Sequence, residues 1–81
     1  MTVRFLLFAI YRDLAGTGEL ELAIPDGATV ADAVDALRAR GGGFMRLPVA
    51  PAVAVNQEYA SLDTRLAPGD ELALLPPVAG G

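Results

Sequence analysis

The residues whose types and order best suit chemistry are the last six of this 81-residue chain, Pro76-Pro77-Val78-Ala79-Gly80-Gly81. Two prolines cannot donate to a strand ladder and favour an extended conformation, so a preceding strand must end there and the chain must leave the domain. At ~3.3–3.6 Å per residue, such a run projects roughly 20 Å. No residue in it is charged, and the side chains shrink towards two glycines that leave the terminal carboxylate unobstructed. A stiff spacer followed by a flexible, side-chain-free end suits insertion of that carboxylate into a narrow site on another protein. Small residues are also common at frayed ends. The prolines leading and the glycines closing set this run apart from those.

Other chemistry is excluded by what is missing, because the chain has no Cys, His, Trp or Lys. A disulfide framework, a thiol nucleophile and a soft-metal site are all ruled out. Ten acidic residues against six arginines give a net charge of −4, the wrong sign for tracking a phosphate backbone or an anionic bilayer. Neither nucleic acid nor membrane is therefore expected as a partner. The longest uncharged run, Leu47 to Gln57, contains Pro48 and Pro51 and falls short of the ~18 apolar residues a spanning helix needs. Near the N-terminus Arg4 precedes the apolar run Phe5 to Tyr11, but Arg12 and Asp13 end it and no convincing small-x-small site follows. That run reads as a buried strand, and a cytoplasmic location is expected. A chain this short has a compact radius of about 12 Å, with little room for an enclosed pocket, so it is not expected to be an enzyme on its own.

The remaining polar clusters have simpler explanations. Asp32 and Asp35 lie three apart on a helical stretch, which fits a solvated face near the positive end of the helix better than a metal site. Asp63, Asp70 and Glu71 sit at turns and a strand start. Gly41-Gly42-Gly43 follows a helix instead of leading into one and has no lysine, so it reads as a helix stop and flexible connection, not a phosphate loop.

The elements that must position the tail are legible from periodicity. Val3 to Tyr11 is rich in aliphatic and aromatic residues and reads as a strand; Arg12 to Gly18 reads as a turn or single helical turn. Glu19 to Ile24 alternates strictly and forms a second strand, in a hairpin with the first. Thr29-Val30-Ala31-Asp32 resembles a capping box, so a helix begins at about Val30, with Val30, Ala33, Val34 and Leu37 on its apolar face. Phe44 to Pro51 shows no period and reads as irregular. Ala52 to Val55 reads as a short central strand closed by Asn56-Gln57, Tyr59 to Leu62 as a brief fourth, and Glu71 to Leu75 as the last, entered through a Pro68-Gly69 type II turn. The order predicts an α+β domain over residues 1–75, a mixed sheet of about five strands with one main helix on one face, followed by the tail 76–81. Strand alternation aims Val3, Phe5, Leu7, Leu20, Leu22, Ile24, Val53, Val55, Leu72 and Leu74 at the helix. It leaves Leu6, Phe8 and Leu75 on the opposite face, with Tyr59 close by. Grouped apolar side chains around the base of a tail favour a partner interface.

Leu6-Leu7-Phe8-Ala9 with Asp13-Leu14-Ala15-Gly16, then Val53 to Tyr59, then Leu66 to Gly81 with its closing Pro-Pro-Val-x-Gly-Gly, resemble the small, sulfur-carrier subunit of molybdopterin synthase, a ubiquitin-like β-grasp family. The resemblance implies a carrier cycle. An activating enzyme of the ubiquitin-activating type uses ATP to adenylate the Gly81 carboxylate, and sulfur replaces the adenylate. The thiocarboxylate then enters the large subunit of a heterotetrameric synthase, where it donates sulfur to a cyclic pyranopterin monophosphate. Gly81 and Gly80 would be the reactive end. Phe8, Leu75, Tyr59 and Leu6 would dock on the large subunit, and Pro76, Pro77 and Val78 would thread into it. The chain itself would bind no cofactor and no metal. A sulfur carrier of thiamine biosynthesis shares the fold and the Gly-Gly end, and a ubiquitin-like protein modifier is a further alternative.

Overall fold

Val3, Phe5 and Leu7 alternate with Thr2, Arg4 and Leu6, and this period of two makes Thr2–Leu7 a strand, β1, with every second side chain buried. The computed structural model of the protein describes residues 1–77. β1 lies between β2, Glu19–Ala23, and β5, Glu71–Leu75. β3, Ala52–Val55, and β4, Glu58–Ala60, complete a five-stranded sheet in the order β2-β1-β5-β3-β4. The β1–β5 pair is parallel, with Phe5 opposite Leu72 and Leu7 opposite Leu74. The other pairs are antiparallel.

One face of the sheet is covered by the helix α2, Val30–Arg38, which buries Val30, Ala33, Val34 and Leu37. These side chains share a single core with Val3, Phe5, Leu7, Val53, Leu72 and Leu74. The start of α2 is fully provided for. The Thr29 hydroxyl accepts from Asp32 N, and the Asp32 carboxylate accepts from Thr29 N at 3.0 Å, a reciprocal capping box. The next amides, of Val30 and Ala31, donate to the carbonyls of Thr64 and Leu62 at 2.9 and 3.0 Å, so the loop before β5 satisfies helix donors that would otherwise be orphaned. The Cα radius of gyration, 11.7 Å, agrees with a single compact layer pair.

The structure departs from the sequence reading in the segments between strands. β1 ends at Leu7, and Ile10 and Tyr11 belong to a seven-residue helix α1, Ala9–Ala15, where the sequence suggested a strand to Tyr11 and then a turn. The reason is a change of period: Tyr11, Leu14 and Ala15 fall at helical spacing and pack on the core, and Gly16, at φ 78, closes the helix by donating to Arg12 O. The connection expected to be flexible after Gly41 is instead a 3-10 helix, Gly42–Arg46. A Cβ on Gly43 would lie 1.6 Å from the Leu14 carbonyl oxygen, so only glycine lets this segment rest on the end of α1. β4 begins one residue earlier than expected and stops at Ala60.

Two turns are tied together beside the entry to β5. Asn56 and Gln57, at φ 51 and 73, form the tight β3–β4 hairpin turn. The Asn56 side chain donates to Asp70 Oδ1 at 2.9 Å and accepts from Glu71 N at 3.0 Å, while Asp70 Oδ2 accepts from Ala67 N at 2.8 Å across the Pro68-Gly69 turn. Replacing Asn56 with Ala removes both side-chain bonds and places an alanine at positive φ, so chemical denaturation should show a loss of about 1–3 kcal/mol. Asn56→Gly keeps the backbone freedom and should lose measurably less. Equal losses would show that the turn conformation carries no cost.

Candidate functional site

The face of the sheet away from α2 divides into two halves. Across its apolar half the paired residues run Leu6, Ala73, Ala54 and Tyr59 on β1, β5, β3 and β4. The next rung pairs Leu75 with Ala52. Alanines fill the middle of the first rung and one of the two positions of the second, so the floor is low and the larger side chains stand around it. Ala54 is buried although it is not part of the core beneath α2, which shows how closely this outer face is packed. Tyr59, on the short edge strand β4, is 86% exposed. Phe8 is 46% exposed; it lies just past the end of β1 as the extended residue capping α1, at φ −123 and ψ 158. The polar half carries Glu21, Arg4 and Glu71 on one rung, with Arg4 Nη2 3.1 Å from Glu19 Oε1 in an exposed ion pair.

β5 delivers the chain to the apolar half. Leu75 is half-buried, Pro76 likewise, and Pro77 is exposed. Beside them lies an open groove of about 360 Å³ lined by Tyr11, Tyr59, Leu75, Pro76 and Pro77 with Pro48, Ala50, Pro51 and Ala52. The structure thus brings Leu6, Phe8, Tyr59, Leu75, Pro76 and Pro77 to one end of the sheet. Val78, Gly80 and Gly81, named from the sequence as the threading and reactive residues, lie outside the described residues.

Sequence reasoning missed Ile10, Met45 and Val49, which are also large, apolar and exposed. Ile10 was hidden by its assignment to a strand, and the other two lie in and after the 3-10 helix, where no period marks an outward face. It also missed Tyr11 as a neighbour of the tail. The signal that finds it is the helical spacing of Tyr11, Leu14 and Ala15 before Gly16. Asp32 is engaged in its capping box, and among the described residues no group of three or more His, Cys, Asp or Glu is placed to hold a metal ion. No helix among the described residues is long and apolar enough to cross a membrane.

A mixed five-stranded sheet gripping one main helix, with the central strand running out into a Pro-Pro lead, defines a ubiquitin-like β-grasp protein. The chain belongs to the ThiS family, whose model matches residues 5–81. It is 33% identical to the molybdopterin synthase sulfur carrier subunit of Arabidopsis thaliana over 98% of this chain and 82% of that one. It is 32% identical to the protein of the same name from Chlamydomonas reinhardtii over the whole of both chains. Small archaeal modifier protein 1 of Haloferax volcanii is 39% identical over 93% of this chain and 95% of its own. The crystal structure of that modifier superposes with a TM-score of 0.85, covering both chains completely at 34% identity.

The two tyrosines give a direct test of this geometry. Tyr59 is 86% exposed and Tyr11 only 7%, so tetranitromethane should nitrate Tyr59 many times faster than Tyr11, read by peptide mass mapping. Equal rates would mean that α1 does not stay packed on the core.

Proposed function

We propose that this chain is a sulfur carrier, the small non-catalytic subunit of a molybdopterin synthase, and that Gly81 bears the sulfur. The observation that carries the reading is full-length similarity to two proteins named as molybdopterin synthase sulfur carrier subunits, together with a Pro-Pro-Val-Ala-Gly-Gly run placed directly after the central strand. A carboxylate is a poor electrophile, so an activating enzyme first joins it to AMP, releasing pyrophosphate from ATP. A sulfur donor then displaces AMP and leaves a thiocarboxylate on Gly81. Gly80 and Gly81 place no side chain beside that carbonyl, so ATP and later a cyclic pyranopterin monophosphate both have access to it. The large subunit supplies the site where the sulfur is transferred.

Docking on the large subunit, and on the activating enzyme, is the role we assign to the apolar half of the outer face. Phe8 and Leu75 are its anchors, with Leu6 and Tyr59 beside them, and Pro76, Pro77 and Val78 lead the chain into the partner. Burying two such side chains contributes roughly 3–6 kcal/mol before the costs of association are subtracted.

A second reading, protein modifier, is favoured by the similarity to the archaeal modifier in both sequence and structure. The same activated Gly81 would then be joined to amines of other proteins. This chain has no lysine, so it offers no side chain for attachment of further copies.

Mass spectrometry of the protein from its native host distinguishes the two. A carrier gains the mass difference between sulfur and oxygen at its C-terminus, whereas a modifier leaves its C-terminal residues on lysines of other proteins. Deleting Gly81 should abolish ATP-dependent activation and leave thermal melting unchanged, because the core residues of the described structure end at Leu74. Phe8→Asp and Leu75→Asp should each weaken binding to the large subunit by about tenfold or more in calorimetric titration, with folding retained. Normal affinity in both would remove the docking assignment.

A further inference from the structure

The strand β2 forms one edge of the sheet, and its ladder with β1 fixes which of its peptide groups are spent. Met1 and Ile24 exchange both backbone bonds at 2.8 Å, and Leu7 N donates to Gly18 O at 2.9 Å. Bonded and non-bonded pairs alternate in an antiparallel ladder, so Leu20 and Leu22 spend their peptide groups on their partners Phe5 and Val3. Those of Glu19, Glu21 and Ala23 turn outward. The Thr17 hydroxyl closes the first of these positions, accepting from Glu19 N at 3.3 Å and donating to Glu19 O at 2.9 Å. Among the described residues nothing bonds the N–H or C=O of Glu21 or Ala23. The four residues after Pro77 are too few to reach them. Pro77 shares its groove with Ala52 and Tyr59 of β3 and β4, three strand spacings or about 14 Å sideways from β2, and Glu21 and Ala23 lie a further ~10 Å or more along the strands. Four residues span at most about 14 Å.

Open edges are usually blunted by lysine, proline, a bulge or extreme shortness. The other edge strand, β4, takes the last course with three residues. β2 has five, includes no lysine or proline, and keeps an unbroken register with β1 from Thr2–Ala23 to Leu6–Glu19. Its two rows of side chains call for different neighbours. Leu20 and Leu22 pack on the core yet are only half-buried, since no strand lies beyond them. Apolar side chains on an added strand would complete their burial. On the other face Glu19, Glu21 and Ala23 are exposed. Arg4 pairs with Glu19 at 3.1 Å, whereas Glu21 has no ion pair among the described residues. A second copy paired along this edge would crowd four carboxylates onto one strip, and like charges across a ladder destabilise it. Basic side chains meet the opposite outcome.

We infer that the β2 edge takes up an extended segment of a partner protein as a sixth strand, one whose side chains alternate between basic and apolar. The peptide groups of Glu21 and Ala23 bond its backbone. Its lysines or arginines meet Glu19 and Glu21, and its apolar side chains cover Leu20 and Leu22. This contact uses neither Gly81 nor the groove at the tail base, so it stands whether the chain is a carrier or a modifier.

The experiment is a titration of the isotope-labelled full-length protein with a synthetic peptide alternating lysine and valine, followed by amide NMR and hydrogen exchange. A glutamate–valine peptide of the same length is the control. Saturable shifts should centre on Glu19–Ala23. Exchange at the Glu21 and Ala23 amides should slow about tenfold or more, while the Leu20 and Leu22 amides, already bonded, change little. Glu21→Lys, at an exposed position, should weaken the basic peptide about tenfold with thermal melting unchanged. Equal binding of the acidic peptide, shifts confined to Phe8, Tyr59 and Leu75, or shifts without slowed exchange at Glu21 and Ala23 each overturn the inference, as does the absence of binding at millimolar peptide. Slowed exchange at those two amides on raising the protein concentration alone makes the occupant a second copy and overturns the basic partner.

Discussion

The arrangement depends on one pairing, the parallel contact of β5 with β1. The buried side chains of both strands face α2, and a parallel register sets Leu7 opposite Leu74. It follows that both strands end at the same edge of the sheet, so the residues after them, Phe8 on one side and Leu75 on the other, emerge together. An antiparallel β5 would have buried the same leucines equally well and sent the chain out at the opposite edge, beside Arg4 and Glu21. The hydrophobic requirement fixes which side chains point inward; the strand direction decides where the tail appears.

The surroundings of that exit are held by local chemistry that does little elsewhere. Gly43 rests on the Leu14 carbonyl, which brings the 3-10 helix onto α1. Arg38 then donates to the carbonyls of Leu47 and Met45 at 2.8 and 3.2 Å, and so fixes the start of the segment that runs through Pro48 and Pro51 into β3. On the outer face the alanines at 52, 54 and 73 keep the floor low between larger neighbours. The tail base is thus flanked on one side by a proline-containing loop and on the other by a shallow apolar floor.

Much of the fold was legible in the sequence because it rests on short-range periods. Alternation found β2 almost to the residue, short apolar runs bounded by turn residues marked β3 and β5, and the Thr29/Asp32 pair located the start of α2. The expectation that Leu6, Phe8 and Leu75 share the outer face held, although Phe8 reaches it as the residue that caps α1 and not as part of a strand. Errors arose where the period changes within an unbroken apolar run. Phe5 to Tyr11 is continuous in hydrophobicity, yet the chain switches from strand to helix between Leu7 and Ala9, and hydrophobicity alone cannot mark the switch. The groove was invisible for a different reason: its lining comes from α1, the segment before β3, β4 and the tail base, and only the tertiary arrangement brings them together.

The β1–β5 pairing also governs how the molecule comes into being. Arg4 pairs with Glu71, so the central strands of the sheet come from opposite ends of the described chain, and closing that loop is an entropic cost that nearby contacts cannot share. During synthesis β1 and β2 can pair early, but the core under α2 stays open on one side until β5 has left the ribosome. A copy cut short before Glu71 lacks the middle of its sheet and cannot reach the native state. Assembly of the fold is thus a check on completeness: the strand that finishes the core is the one that carries the Pro-Pro lead, so no molecule closes its core without also having the base of its tail.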